Sequence, residues 1–152
     1  MPSPRVSVVP ASYVYLLRGD RVLLQRRQNT GYMDGMWVAG AAGHIEWGET
    51  AVAAARREAK EELGIDLVAS SLRVATVMQR TDGSPDPNEQ RVDWFFTATA
   101  WTGDPAIMEP AKCAEIAWFA LDGLPSGIPD YERFVLDGLA SGGPEPLTSY
   151  GF

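Results

Sequence analysis

The sequence predicts an α+β fold, a mixed β-sheet covered by helices. Three observations lead there. Short runs rich in Val, Tyr, Phe and Trp occur in both halves of the chain. A helical pattern occurs only twice, once in the middle and once near the end. The strand-like runs are not separated by regularly spaced helices, as a βαβ repeat would require.

Taken in order, Val6 to Leu17 reads as a long strand, with Pro10 marking a bulge or an edge position. Arg18-Gly19-Asp20 is a tight turn, and Arg21 to Arg27 returns as the second arm of a hairpin. Gln28 to Met36 is a polar loop, and Trp37 to Gly43 is a short strand of small residues feeding a turn. A helix is expected from Glu49 or Thr50 to Leu63, capped by Thr50 and closed by Gly64. Val52, Ala55, Ala59 and Leu63 form its inward stripe. Leu72 to Arg80 and Arg91 to Trp101 are expected to pair across the Thr81–Asn88 turn cluster. Glu115 to Phe119 is a short strand, and Pro129 to Leu139 a second helix with Tyr131, Phe134, Val135 and Leu139 inward. One domain spans residues 1–152, with 1–5 and 142–152 as irregular tails.

Composition narrows the partners. Thirteen basic against twenty acidic residues give a net charge of −7, which argues against a nucleic-acid polymer. A phosphorylated small molecule remains compatible if metal ions supply local positive charge. The one cysteine, Cys113, permits no internal disulfide and reads as a small buried hydrophobe. No run has the length or apolarity of a signal core or membrane span, so a soluble, cytoplasmic monomer or homodimer is expected.

The chemistry concentrates in Gly43–Ile65. Glu58, Glu61 and Glu62 stand at i, i+3 and i+4, on one face of the first helix. Like charges so placed repel unless a cation sits among them, and hard oxygen donors suit Mg²⁺ or Mn²⁺ rather than zinc. Taken alone, such a face is more often solvated and paired with its own Arg56, Arg57 and Lys60.

Gly43, five residues, Glu49, seven residues, then Arg57-Glu58-Ala59-Lys60-Glu61-Glu62-Leu63-Gly64-Ile65 resembles the Nudix box of the MutT-type Nudix hydrolases. The hairpin, Gly35-Met36-Trp37 and Trp118-Phe119-Ala120-Leu121 are similar to the family layout, so the resemblance covers Val6 to Leu139. It implies an α/β/α sandwich that hydrolyses diphosphate linkages in nucleotides with Mg²⁺, or Mn²⁺ as a substitute. It implies Glu58, Glu61 and Glu62 as metal ligands, one of them, such as Glu61, doubling as proton acceptor. It also implies the Ala42 backbone carbonyl as a ligand, Glu109 or Glu115 as a further carboxylate, and Arg57 with Glu49 as the pair locking loop to helix. Glu46 is open to two readings, a charged turn residue or an outer ligand. Arg27, Tyr13 and Trp94 are candidate substrate contacts beside their plainer roles as solvated cation or core.

The Glu109-Pro110-Ala111-Lys112-Cys113 stretch resembles one in members acting on nucleoside triphosphates, which makes such a triphosphate the first expected substrate. Nucleotide sugars or dinucleotides are the alternative, and a non-catalytic nucleotide sensor is the rival from another class. Such a sensor is expected to have lost box carboxylates, and here all are present. One departure is visible: Val38-Ala39-Gly40-Ala41-Ala42 replaces the Leu-Pro-Gly-Gly approach common in the family and is one residue longer.

Overall fold

The computed structural model describes residues 2–152. In chain order the elements are β1 (Val9–Arg18), β2 (Arg21–Arg27), β3 (Trp37–Ala39), β4 (Ala41–His44), α1 (Ala51–Leu63), β5 (Asp66–Leu67), β6 (Arg73–Arg80), β7 (Arg91–Ala98), β8 (Trp101–Thr102), β9 (Cys113–Ala120), α2 (Asp130–Ala140) and β10 (Leu147–Tyr150). The main sheet runs β10-β6-β7-β1-β2-β3, with β4 pairing β1 and β9 pairing β2. β1 is parallel to β7 and β10 to β6; the other pairs are antiparallel. The mixed sheet is therefore observed as expected, and so is the hairpin, whose register puts Leu17 opposite Val22.

Alternation along the central strands divides the core between the two helices. On β1, Tyr13 and Tyr15 face one way and join Phe95, Val135 and Leu136 under α2. Val14 and Leu16 face the other way and join Phe96, Ala55, Ala59 and Leu63 under α1. Ala55 and Ala59 are fully buried, and small side chains there let the helix backbone lie close to the sheet. Thr50 caps α1, its side chain accepting from the Ala53 N–H at 3.0 Å. Ser12 adds a cross-tie, its hydroxyl donating to the Ala51 carbonyl at 2.8 Å.

Several expectations need correction. Val52 is 41% exposed; the inward face of α1 is shifted to Ala54, Ala55, Ala59 and Leu63. Phe134 is likewise exposed, because Glu132 takes an inward place on α2 with Tyr131, Val135 and Leu136. Pro10 marks neither a bulge nor an edge: it sits near the start of β1, in unbroken register with Val92 of β7. The segment 37–43 is two strands bent at Gly40, and Arg91–Trp101 is interrupted before β8. The tail 142–152 is not wholly irregular, since Leu147–Tyr150 adds a parallel strand beside β6. That strand is tied by the Thr76 and Thr148 hydroxyls at 2.8 Å, a long-range contact that no local pattern encodes.

Gly64 ends α1 with φ of 71°, left-handed backbone in which a side chain is strained. A Cβ there would also lie 2.9 Å from the flexible Met108 sulfur. Gly64→Ala should lower stability by about 1–2 kcal/mol, read as a reduced urea midpoint with unchanged slope.

Candidate active site

β1 pairs with β2 only at its far end, through Leu17 and Arg18, while Ala11 to Val14 pair with β4. Strand β2 meanwhile takes β3 and β9 as its neighbours. The divergence of β1 and β2 opens a cavity of about 670 Å³, walled by residues of both strands, β4, α1, the start of α2 and the loop before β9. Glu58, Glu61 and Glu62 line one end, as do Arg57, Glu46 and Gly43. Gln25, Arg27, Tyr13, Glu109 and Lys112 line the same space.

Arg57 organises the α1 end. Its Nε and Nη2 donate to the two Glu49 carboxylate oxygens at 2.7 and 2.9 Å, a bidentate pair. Nη1 donates to Glu58 at 2.7 Å and to Glu61 at 3.3 Å, and Nη2 also reaches the His44 carbonyl at 3.1 Å. Hydrogen bonds from Arg57 and from the Glu46 N–H hold the Glu49 carboxyl down at about 2. The loop 45–49 is thereby fastened to the helix, and Arg57 and Glu49 meet as the sequence anticipated. Gly43 lies directly against the Glu58 carboxylate, and a Cβ at that position would collide with it.

Glu62 is set differently. Its carboxylate accepts from the Ala42 N–H at 2.7 Å and from the Gln25 amide at 3.4 Å. Burial, reinforced by the charges of Glu58 and Glu109, raises its carboxyl to about 8. Burial also raises Glu58, with Glu61 and Glu109 pushing the same way and Arg57 opposing. The cavity wall as a whole holds seven carboxylates (Glu46, Glu58, Glu61, Glu62, Glu89, Glu109, Glu132) against four basic side chains (Arg27, Arg57, Arg91, Lys112).

Among the described residues no three of these groups stand converged as a finished metal cage. Arg57 draws Glu58 and Glu61 toward itself, and the Ala42 N–H holds Glu62. The donor chemistry nonetheless fits a hard divalent cation: oxygen atoms only, like charges close enough to raise one another, and too little local positive charge to balance them.

Other expected contacts divide. Glu109 lines the cavity, whereas Glu115 is at the surface, 3.5 Å from Arg26. Tyr13 and Arg27 line it; the Arg27 guanidinium also donates to the Tyr32 carbonyl at 2.7 Å. Trp94 packs with the α1-side core, on the sheet face opposite to Tyr13 and Phe95. Cys113 is buried, its thiol directed to the Glu115 carbonyl at 3.3 Å.

The sequence reading missed Gln25, Arg91, Tyr131, Lys112 and Glu132, all on the cavity wall. A signal existed for one. Glu132 stands at i, i+3 and i+4 with Val135 and Leu136, so it belongs to the apolar stripe of α2.

A sheet held between two helices, with a glycine turn locked by an arginine onto a glutamate-bearing helix, places the chain in the Nudix class. The NUDIX domain profile matches residues 8–137, and the chain belongs to that family. Its similarity extends to isopentenyl-diphosphate Delta-isomerase of Cereibacter sphaeroides, 32% identical over 123 residues, 80% of this chain and 69% of that protein. The NAD-capped RNA hydrolase NudC of Escherichia coli is 32% identical over 118 residues, 78% of this chain but 41% of NudC. Among solved structures, a MutT NUDIX hydrolase from Burkholderia pseudomallei superposes with a TM-score of 0.76 at 29% identity, covering 86% of this chain and 97% of that one.

Because the atom in the way of a Gly43 side chain is the far end of Glu58, Gly43→Ala should displace that carboxylate rather than unfold the protein. Any divalent-cation affinity titrated at this site should fall by roughly 10-fold or more, with a melting temperature within a few degrees of the parent. Calorimetric titration and a thermal melt check both halves.

Proposed function

We propose that this chain is a Mg²⁺-dependent pyrophosphohydrolase cleaving a diphosphate linkage in a nucleotide, with a nucleoside triphosphate, split to monophosphate and pyrophosphate, as first substrate. The observation that carries this reading is the pair of half-buried carboxylates Glu58 and Glu62, raised first by burial and further by acidic neighbours, Glu61 and Glu109 at Glu58 and Glu58 and Glu109 at Glu62, in a wall where acids outnumber bases. A polyphosphate entering such a cavity needs a cation as counterion.

Glu58, Glu61 and Glu62 would hold Mg²⁺ or Mn²⁺, with Glu109 and the Ala42 carbonyl as further oxygen donors. When bound, the ion supplies charge neutralisation at phosphate oxygens and acidifies water. The chain's own residues do the rest. Arg57 keeps Glu58 oriented and ties the 45–49 loop in place. Arg27 and Lys112, on the cavity wall, attract phosphates. Glu61, 53% exposed in its side chain and bonded to Arg57 through one oxygen at 3.3 Å, would take the proton of the attacking water. Tyr13 and Tyr131 are the aromatic wall for a base, their rings 6.2 Å apart and near perpendicular.

The isomerase and NudC relatives widen the substrate question. Glu132 and Arg91 are on the cavity wall, which suits a polar ring better than an isoprenoid tail. Among the described residues no helix is long and apolar enough to cross a membrane, and Cys113 is a free thiol; both fit a reducing cytoplasm, which we propose as the location.

A panel of nucleoside triphosphates, nucleotide sugars, dinucleotides and isopentenyl diphosphate, assayed with Mg²⁺ and product identification, tests the reading. Release of pyrophosphate from a triphosphate is the expected outcome; tight nucleotide binding with no product from any member would favour the sensor instead. Glu62→Gln should cut turnover on the order of 100-fold or more while leaving the far-ultraviolet circular dichroism unchanged.

The raised Glu62 carboxyl sets a pH dependence. Its ordinary value is 4.5 and its folded value about 8, so its contribution to metal-free stability is fully present below 4.5 and lost as pH rises through 8. Mg²⁺ must displace that proton below pH 8 and need not above it. The Mg²⁺-induced rise in melting temperature should therefore be larger at pH 9 than at pH 6, and Glu62→Gln should flatten the difference.

A further inference from the structure

Strands β2 and β9 run antiparallel until Arg27 meets Cys113, with a register shift between Arg26 and Arg27. Beyond that point the Gln28 N–H still donates to the Lys112 carbonyl at 2.9 Å, but among the described residues no backbone N–H reaches the Pro110 or Ala111 carbonyl. Two side chains take over. The Gln28 amide donates to the Pro110 carbonyl at 2.8 Å, and the Asn29 amide to the Ala111 carbonyl at 3.1 Å. Asn29 has φ of 54°, left-handed backbone that asparagine tolerates better than most residues. Three consecutive carbonyls, of residues 110–112, are thus held from residues 28 and 29, and both side-chain bonds span 82 positions of sequence.

The turn so clamped carries a cavity residue at each end. Glu109 and Lys112 both line the cavity, and their side chains pair at 3.4 Å. The Glu109 carbonyl accepts from the Lys112 and Cys113 N–H groups at 2.9 and 3.0 Å, so the turn closes on itself. Its placement against α1 then rests on residues outside it. On the upstream side the Met108 N–H reaches the Glu62 carbonyl at 3.3 Å; on the other side the hold comes from β9 and from the Gln28 and Asn29 amides.

We propose that Gln28 and Asn29 are positioning residues, whose amides fix the 109–112 turn so that Glu109 is presented to the cation site of Glu58, Glu61 and Glu62. The assignment rests on the metal reading above and adds to it what holds the further carboxylate. A carboxylate on a loose turn must surrender backbone and side-chain freedom when it ligates a cation, and a turn fastened beforehand surrenders less. The charge of Glu109 bears on both Glu58 and Glu62, so its carboxylate stands within electrostatic reach of both.

Mn²⁺ binding to the full chain without substrate, followed by electron paramagnetic resonance, tests the assignment. Gln28→Leu combined with Asn29→Gly removes both amides, while glycine keeps the left-handed backbone accessible. This variant should bind Mn²⁺ roughly 10-fold more weakly, with a melting temperature within a few degrees of the parent. Glu109→Gln should weaken binding by a similar factor. Adding it to the amide-deleted variant should weaken binding no further, because the amides act through that carboxylate. A merely structural role would make the two losses multiply. Multiplied losses, an unchanged affinity without the amides, or an unchanged affinity in Glu109→Gln each overturn the assignment and leave the α1 carboxylates to the metal alone. If the combined variant melts below the assay temperature, Asn29→Gly by itself carries the same comparison, with a loss of about 3-fold expected. If the parent protein binds no Mn²⁺, the metal reading falls and this assignment with it.

Discussion

A single guanidinium, Arg57, holds the candidate site together. It bonds Glu49, Glu58 and Glu61 and the His44 carbonyl at once, joining the loop before α1 to the helix itself. A lysine could not do this, because a point charge lacks the planar fork that engages Glu49 bidentately while still reaching Glu58. The arrangement depends on two absences of bulk. Gly43 leaves room for the Glu58 carboxylate, and Ala55 and Ala59 let α1 settle onto the sheet. With larger residues at these places the carboxylates would face solvent rather than the cavity.

The segment Val38–Gly43 is the second structural device. Its departure from the family's usual approach gains a physical meaning once its backbone is followed. The Ala39 N–H is donated to Glu132 and the Ala42 N–H to Glu62; the Gly40 and Ala39 carbonyls accept from Gln25. One short bent stretch thus donates a backbone N–H to each of two carboxylates on the cavity wall, Glu62 and Glu132. Gly40 marks the bend, with Leu23 and Leu63 so close that a Cβ would meet the Leu23 carbonyl oxygen at 3.2 Å. Small residues here serve close approach of backbone to side-chain acceptors, and they need no proline to do it.

The two ends of the cavity solve opposite electrostatic problems. At α1, Glu58 and Glu62 are half-buried with more negative charge than their protein partners neutralise, which suits a site completed by a cation. At α2, Glu132 is fully buried, with the Tyr15 hydroxyl and the Ala39 N–H donating to it and Arg80 nearby, which offsets part of the cost of its burial. Burial is the first cause of the raised carboxyls at both, and acids add to it at both, Glu58 and Glu109 at Glu62 and Asp93 at Glu132.

The sequence by itself determined the box and its helix: the spacing of Gly43, Glu49, Arg57 and Glu58 to Glu62 is local, and helical periodicity alone puts the carboxylates on one face. It determined the strand order of the hairpin and the pairing of β6 with β7 for the same reason, since turn chemistry acts over a few residues. Only the tertiary structure decided what lies opposite that helix. That Glu109 rather than Glu115 reaches the cavity, that Trp94 turns to the other sheet face, that residues 147–150 join β6 and that Glu132 joins the cavity wall all depend on contacts between residues far apart in the chain. Such contacts are set by strand register and by how two helices cover one sheet, and a one-residue change in register would send a strand side chain such as Trp94 to the opposite face.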